Sequence, residues 1–577
     1  MGMPSDEPTW DAEADLVVLG SGGSGLSAAA VAAIEGLRVM VLEKADVLGG
    51  TTSRSSGGVW VPNNDHMAEV GVSDSPEEAL EYVRACAGNN GDDETLVAFV
   101  EKAPEMARYF EMHTEIRWKP WPPIGGAVDY RDEAGAKPGG RCLNANSIRV
   151  DSLGDLAPYL RIGMGADPDV DVIDYYAQRK HLLPPSDETA LPTDSDGQVV
   201  RGMGELSREA GDRLDYVAAG TGLVAHLLKA AQDHGATFHP GTAAKRLVVQ
   251  GGRVVGVMAE RGGKSFAVRA TAGVVIATGG YSRNEELKRL WLLRPLDFTG
   301  EVDENEGDGH LMGMAVGAQV ANLGDAWWMP HIYEGRPNQA GYNIALTRED
   351  RILPHTLIVN GAGRRFVNEA TNYYDIGAAF GEKVGVVNRN LPAWLIFDQQ
   401  GVEKYAALND KLAVNGAQDS IFSADSLTEL GELLGVDPVA LHRTVKTFNE
   451  FARSGVDLDF ARGQNAWDRA WGDPNNMPNP SLGTLEKPPF HAVSVLSGAL
   501  ATKGGLRINA AGEVLSADPG AGPIAGLYAV GNCSSTGVSG GYPGPGATLG
   551  PILTFGYIVG MGVAAHVAGR RQSVTSR

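Results

Sequence analysis

The strongest constraint on this chain's fold lies near its N-terminus, where strand, glycine loop, helix, strand and acid follow one another in register. Asp15 to Leu19 (DLVVL) is a short apolar run typical of a strand buried on both faces. It enters Gly20-Ser21-Gly22-Gly23-Ser24-Gly25, a G-x-G-x-x-G loop, and then the Ala-rich stretch Leu26 to Gly36, which reads as a helix closed by glycine. Leu37 to Leu42 (LRVMVL) is a second strand ending at Glu43, 23 residues after Gly20, where an acid is expected to accept from ribose hydroxyls. Gly20 makes the tight turn, Gly22 lets backbone reach a pyrophosphate, and Gly25 lets helix pack on strand. The helix N-terminus stabilises phosphate charge through its free N–H groups and dipole. A bound dinucleotide follows. Nothing in this unit distinguishes NAD from FAD.

Glycine recurs in the same role further along. The chain has 76 glycines in 577 residues, about 13% where roughly 7% is usual. Gly49-Gly50-Thr51-Thr52-Ser53-Arg54-Ser55-Ser56-Gly57-Gly58 offers backbone donors and hydroxyls to a planar polar ligand. Val274 to Ala277 runs into Thr278-Gly279-Gly280, and Leu527 to Val530 into Gly531-Asn532. The chain thus returns at least three times to one sheet edge, where doubly wound folds place their ligands. Two look-alikes carry no ligand: Gly220 to Ala225 lacks the downstream acid and reads as a packing turn, and Gly263-Lys264-Ser265 has Met258 where a P-loop needs its first glycine.

The length calls for more than one domain, and a net charge of −22 argues against nucleic-acid partners. Cys86, Cys142 and Cys533 are the only cysteines. They are too few and too scattered for a disulfide framework or an iron–sulfur cluster, and fit a reducing compartment. None of the twelve histidines forms H-E-x-x-H, so no metal is expected. The N-terminus shows no secretory pattern. The uncharged stretch Gly550 to Gly569 reads as a buried C-terminal helix, not a transmembrane span. The expected location is cytoplasmic, with peripheral membrane contact left open.

Taken together, these motifs resemble the flavoprotein family that includes fumarate reductases, succinate dehydrogenases and 3-ketosteroid dehydrogenases, over nearly the whole chain. The resemblance implies an α/β fold: a Rossmann-like FAD-binding domain split in sequence, at 12–333 and 501–577, around an inserted α+β catalytic domain at 334–500. It implies that Gly20, Gly22, Gly25 and Glu43 hold the ADP half of FAD. Thr51, Thr52, Ser56, Gly57 and Gly58 would lie along the pyrophosphate and flavin, with Gly280 nearby. Gly531 and Asn532 would meet the ribityl chain, and the backbone of Ala547, Thr548 and Leu549 the pyrimidine edge. RLVVQGGRVVGVMAE at 246–260 fits a β-hairpin inside the first part.

Within the family, Thr502-Lys503-Gly504-Gly505 departs from the His-Thr-x-Gly-Gly pattern of dicarboxylate-reducing members. Gly541-Tyr542-Pro543-Gly544-Pro545-Gly546 instead resembles the signature of 3-ketosteroid Δ1-dehydrogenases. Its pinned loop leaves N–H groups free ahead of a helix, donors suited to a ketone oxygen beside the Tyr542 hydroxyl. The stretch Gly363 to Tyr373 (GRRFVNEATNY) matches the family with a tyrosine where the steroid enzymes place their base. Tyr374 follows directly, and the match favours Tyr373. Tyr130, in Val128-Asp129-Tyr130-Arg131, matches a third tyrosine more loosely, and Trp118 to Pro123 reads either as a pocket wall or as a Pro-rich loop.

The implied reaction inserts a C1–C2 double bond into a 3-ketosteroid A ring. Tyr542 and the Gly546 N–H hold the ketone, Tyr373 with Tyr130 takes the C2 proton, flavin N5 takes the C1 hydride, and an external acceptor reoxidises the cofactor. A tyrosine base costs about 4 kcal/mol to ionise at pH 7 unless neighbours help. The alternatives are a fumarate reductase-like ene-reductase, a 3-keto-5α-steroid Δ4-dehydrogenase, and a non-catalytic FAD-bound electron-transfer subunit.

Overall fold

The computed structural model describes residues 9–123, 128–163, 182, 215–333, 344–346, 350–385, 387–414, 421–538 and 540–575; the expected boundary at 334 falls outside them. Strand β1 (Ala12–Leu19) passes through the glycine loop into helix α1 (Gly23–Ile34) and strand β2 (Val39–Leu42). The two strands pair in parallel, Leu16 beside Val39 and Leu19 beside Leu42. Gly20 takes φ +104°, and a Cβ there would stand 2.4 Å from the Ala277 carbonyl oxygen. One at Gly25 would stand 2.2 Å from the Gly20 oxygen, so helix and strand approach this closely only as glycines.

Helix α2 (Ala219–Asp233) follows on the same face and leads to β3 (Thr237–His239), parallel to β2. The look-alike at its start is a packing turn: a Cβ on Gly220 would meet the Thr52 carbonyl at 2.1 Å. The expected hairpin is β4 (Thr242–Gln250) and β5 (Arg253–Arg261), turning through Gly251 and Gly252 at positive φ. The long β6 (Lys264–Ile276) pairs antiparallel with β5 along its first half and parallel to β1 along most of its length. Strand β7 (Val320–Trp328) then leaves this sheet.

A second, antiparallel sheet is built from β8 (Thr356–Asn360), β9 (Ala393–Asp398), β10 (Ile421–Ala424) and β11 (Phe490–Leu496), with 331–333 and 344–346 at one edge. Helices α3 (Tyr373–Ala379) and α4 (Pro438–Ser454) accompany it. Side chains alternate between its faces. Leu357, Val359 and Ile396 pack with Leu441, Val445 and Phe448 of α4, whereas Ile358, Leu395 and Phe397 face a separate cluster with Ile376 and Val493.

Strand β12 (Gly498–Arg507) pairs with β7. The chain then re-enters the first sheet as β13 (Glu513–Leu515) and β14 (Pro523–Ala529), placing Val274 beside Leu527 and Ile276 beside Ala529 in parallel register. The three parallel strands β1, β6 and β14 therefore end at one edge, at Leu19, Ile276 and Ala529. Helix α5 (Leu549–Thr575) closes the chain. It is the one described helix, over Leu549–Arg571, long and apolar enough to cross a membrane, and 56% of that window is buried. The burial has a specific cause: Gly556 and Gly560 let α5 lie against Ser27 and Val31 of α1, where a Cβ would come within 2.6 and 2.7 Å, and Ser27 Oγ donates to the Leu553 carbonyl at 2.7 Å.

Candidate active site

At the shared strand edge lies a cleft of about 790 Å3, lined by Gly20 to Ser24, Glu43, Thr51, Thr52, Thr278, Gly279 and Asn532 among others. Glu43 is pinned at the end of β2. The Ser21 N–H and hydroxyl donate to its Oε2 at 2.9 and 2.6 Å, and the Ala45 N–H to its Oε1 at 2.8 Å. The N–H groups of Gly22 and Ser24 find no acceptor among the described residues, and a Cβ on Gly22 would meet nothing nearer than Thr52 Oγ1 at 4.0 Å. Free first-turn donors facing an open wall, with a fixed carboxylate one strand away, suit a pyrophosphate and its ribose. The cradle fits a dinucleotide.

A second cavity of about 1030 Å3 adjoins the first, and Thr51, Thr52, Asn532 and Ile552 line both. Ser56, Gly58, Tyr130, Tyr373, Tyr542, Gly546, Thr548 and Leu549 line this second space. Five of the expected contacts, Gly25, Gly57, Gly280, Gly531 and Ala547, stand one layer back from both cavities. The Gly280 N–H is taken by Glu301 Oε1 at 2.9 Å, Gly57 lies against Ala219, and Gly531 lies against Ser24. The Ala547 N–H donates to the Gly544 carbonyl. Gly25 packs against Gly20, as its sequence position implies.

Three phenols meet at the floor of the second cavity. The rings of Tyr130 and Tyr373, and of Tyr130 and Tyr542, lie 5.1 Å apart by centroid, and those of Tyr373 and Tyr542 lie 5.2 Å apart. The Tyr542 hydroxyl lies 3.0 Å from Thr548 Oγ1. Burial first, and then the neighbouring Tyr373 phenol, push the Tyr542 hydroxyl well above its ordinary value, so it stays protonated and able to donate. Gly546, at φ +83°, presents an N–H with no acceptor among the described residues; a Cβ there would come within 2.6 Å of Gly58 backbone. Tyr374 does not line the cavity. Its hydroxyl donates to Asp325 at 3.0 Å, and burial together with that carboxylate pushes its pKa up.

The segments bearing the phenols are clipped together by backbone and side-chain bonds. The Tyr130 N–H donates to the Pro543 carbonyl at 2.9 Å, and Asn372 Nδ2 reaches the Tyr130 carbonyl at 3.4 Å. Arg131 pairs with Asp375 at 2.6 Å. Asn372 also caps α3, accepting from the Asp375 N–H at 3.0 Å, which sets Tyr373 as the first helical residue. Behind it, Glu369 is fully buried and held by Arg365 at 2.7 Å and Arg462 at 3.2 Å, with Asp457 completing the group. Behind Tyr130, Asp129 accepts from Trp60 Nε1 at 2.9 Å and from Arg141 at 2.7 Å.

Sequence reasoning did not find Met329, Trp467, Trp471 or Leu500 on the cavity wall. A signal existed for the tryptophans: four residues apart on the short helix Ala466–Trp471, they share a face. The Pro-rich loop divides: Trp121 lines the cavity and donates to Asn144 Oδ1 at 2.7 Å, whereas Trp118 packs away and donates to the Ala107 carbonyl. Among the described residues, Arg54 is the only charged one lining this cavity.

The FAD binding domain family model matches residues 15–549. The chain is 38% identical over 572 residues to a 4-oxocyclohexanecarboxylate 2-dehydrogenase of Sinomonas cyclohexanicum, covering 96% of this chain and 93% of that one. It is 35% identical to a 3-oxosteroid 1-dehydrogenase of Mycolicibacterium smegmatis, over 97% of this chain and 99% of that one. Among solved structures it is similar to a 3-ketosteroid Δ1-dehydrogenase of Sterolibacterium denitrificans in complex with 1,4-androstadiene-3,17-dione. There the TM-score is 0.83 and the identity 31%, over 96% of this chain and 100% of that one.

Proposed function

The chain belongs to the FAD-binding domain family of flavoproteins, and from that premise we propose that it is a 3-ketosteroid Δ1-dehydrogenase, an FAD-dependent oxidoreductase acting on a CH–CH bond. The observation that carries this reading is the convergence of Tyr130, Tyr373, Tyr542 and the free Gly546 N–H on an apolar cavity that opens into the dinucleotide cleft.

Glu43, the first turn of α1, Thr51, Thr52 and Asn532 would hold FAD, which when bound supplies the acceptor for the hydride leaving C1. The residues of the chain do the rest. Tyr542, kept protonated by burial, and the Gly546 N–H donate to the 3-keto oxygen and stabilise the charge that develops there as C2 loses its proton. Tyr373, ionised to its phenolate, receives that proton with Tyr130 beside it. The electron pair of the C2–H bond becomes the new C1–C2 π bond as C1 gives up its hydrogen with both electrons. The aromatic and aliphatic wall of Trp121, Trp467, Trp471, Met329 and Leu500 excludes water and accepts a flat hydrocarbon skeleton.

Similarity to the 4-oxocyclohexanecarboxylate enzyme supports a second reading, desaturation beside the ketone of a single-ring keto acid. The chemistry at the phenols is the same. The cavity favours the steroid: its wall is built from Trp121, Met329, Trp467, Trp471 and Leu500, a surface for a fused hydrocarbon skeleton more than for a carboxylate. Among the described residues Arg54 is the single lining cation, and it donates to the Glu301 carbonyl at 3.0 Å. A dicarboxylate-reducing site needs more positive charge than this. The test is anaerobic addition of 4-androstene-3,17-dione to purified holoenzyme with an artificial electron acceptor, beside 4-oxocyclohexanecarboxylate. Formation of 1,4-androstadiene-3,17-dione at the higher kcat/KM supports the proposal. Preference for the keto acid moves the substrate to the second reading, and no product from either ends both.

A further inference from the structure

The segment Thr502-Lys503-Gly504-Gly505 marks the chain's departure from the dicarboxylate pattern, and the mechanism above leaves its lysine without a role. Lys503 is 3% exposed, on β12, and its amino group has three kinds of neighbour. It lies 3.2 Å from Asp325 Oδ2, donates to the Gly541 carbonyl at 2.9 Å, and sits over the rings of Trp327 at 4.3 Å and Tyr374 at 4.5 Å. Lys503 and Asp325 are cross-strand partners of β12 and β7, and the register shifts on both sides of them, with the extra residues on β7 before Asp325 and on β12 after Ala326.

Asp325 gathers the same neighbourhood from the other side. Its carboxylate accepts from the Tyr374 hydroxyl at 3.0 Å, Trp328 Nε1 at 2.9 Å, the Ala326 N–H at 2.8 Å and the Gly540 N–H at 3.3 Å. Trp327 in turn stands edge-on to Tyr542 at 5.0 Å and donates to Asn532 Oδ1 at 3.0 Å, and Asn532 lines both cavities. The ion pair therefore grips the residue after Tyr373 and the two residues before Tyr542, while lining neither cavity itself. A buried pair with every lone pair used adds little to stability over an apolar isostere, and its best-attested use is to fix one arrangement.

We propose that Lys503, through its pair with Asp325, is a positioning residue that sets the spacing between Tyr373 and Tyr542 and so aligns proton acceptor and ketone donor on one substrate. The proposal rests on the dehydrogenase reading for its kinetic consequence but not for its structural one. Without the cation, the Gly541 carbonyl and Asp325 lose their shared partner. Tyr542, whose ring meets those of Trp327, Tyr130 and Tyr373 and whose hydroxyl meets Thr548, then samples more than one position.

The test uses holoenzyme carrying 3-fluorotyrosine at position 542, in wild type, Lys503→Met, Lys503→Arg and the double variant Lys503→Met/Asp325→Asn, which leaves no unpaired buried charge should the single variant fold poorly. In wild type and Lys503→Arg a single narrow 19F resonance is expected; in the double variant it broadens or splits. FAD content is expected to stay at one per chain. Turnover of 4-androstene-3,17-dione is expected to fall at least thirtyfold in kcat with KM within threefold, and Lys503→Arg is expected to recover at least a third of wild-type kcat. An unchanged resonance with kcat within threefold of wild type in the double variant overturns the proposal. Loss of FAD in that variant overturns it too, by assigning Lys503 to the cofactor site. Wild-type protein that turns over no ketosteroid while the resonance responds as expected refutes the dehydrogenase reading and leaves the positioning role standing.

Discussion

Replacing Tyr542 with Phe separates the chemistry from the packing at this site. The ring is held by Trp327, Tyr130 and Tyr373 at centroid distances of 5.0, 5.1 and 5.2 Å, contacts that Phe retains. The substitution removes one hydroxyl and its 3.0 Å contact with Thr548. A single neutral hydrogen bond contributes about 1 kcal/mol to stability, so the variant should fold and bind FAD as wild type does. Losing a donor aimed at developing charge is a different matter, costing about 2.7–4 kcal/mol of barrier, or roughly 10²–10³ in kcat. Because the ground-state ketone carries little of that charge, KM should rise by less than about tenfold. The assay is steady-state oxidation of 4-androstene-3,17-dione with an artificial acceptor, beside anaerobic single-turnover bleaching of the flavin absorbance. A kcat within about fivefold of wild type at full FAD content would show that Tyr542 only packs, and the ketone site would have to be sought elsewhere.

Tyr373→Phe should abolish turnover with FAD still bound. Tyr374→Phe, whose hydroxyl is turned to Asp325, should keep measurable turnover, and the reverse order would exchange their roles. Glu43→Ala should lose FAD on dilution, measured by absorbance after gel filtration, because it removes the carboxylate held by Ser21 and Ala45; full retention would place the ribose elsewhere. Glu369→Gln leaves Arg365 and Arg462 short of a buried partner and should lower stability by about 3–5 kcal/mol, read from the urea midpoint. Burial holds His310 at about 4 instead of 6.5, so the unfolded chain takes up its proton first on acidification. Its contribution of about 3 kcal/mol is whole above pH 6.5 and is lost between 6.5 and 4, and His310→Asn should flatten the fall in urea midpoint over that window.

The parallel edge was legible because its signals are local. A buried strand, glycines at steric minima and an acid at fixed spacing are each set by neighbours in the chain, and the structure places Gly20, Gly22 and Glu43 on the cleft those rules imply. The five expected contacts that stand one layer back, Gly25, Gly57, Gly280, Gly531 and Ala547, belong to the same loops as residues that do line the cavities. A motif locates a loop, but which of its atoms faces a ligand depends on what the loop packs against, as Glu301 does for Gly280. The tyrosines were reached by resemblance, and composition carried no trace of them.

Order along the chain therefore determined that a dinucleotide edge exists and that three segments return to it. Tertiary structure alone decided that residues 130, 373 and 542 share one cavity, that Tyr373 faces it while Tyr374 turns to Asp325, and that Lys503 ties their neighbours together. The reason is range: a turn or a helix start is settled by energies between residues a few positions apart. The meeting of side chains hundreds of positions apart is settled by the packing of β7, β12, α3 and the loop before α5, none of which writes its partner into its own sequence.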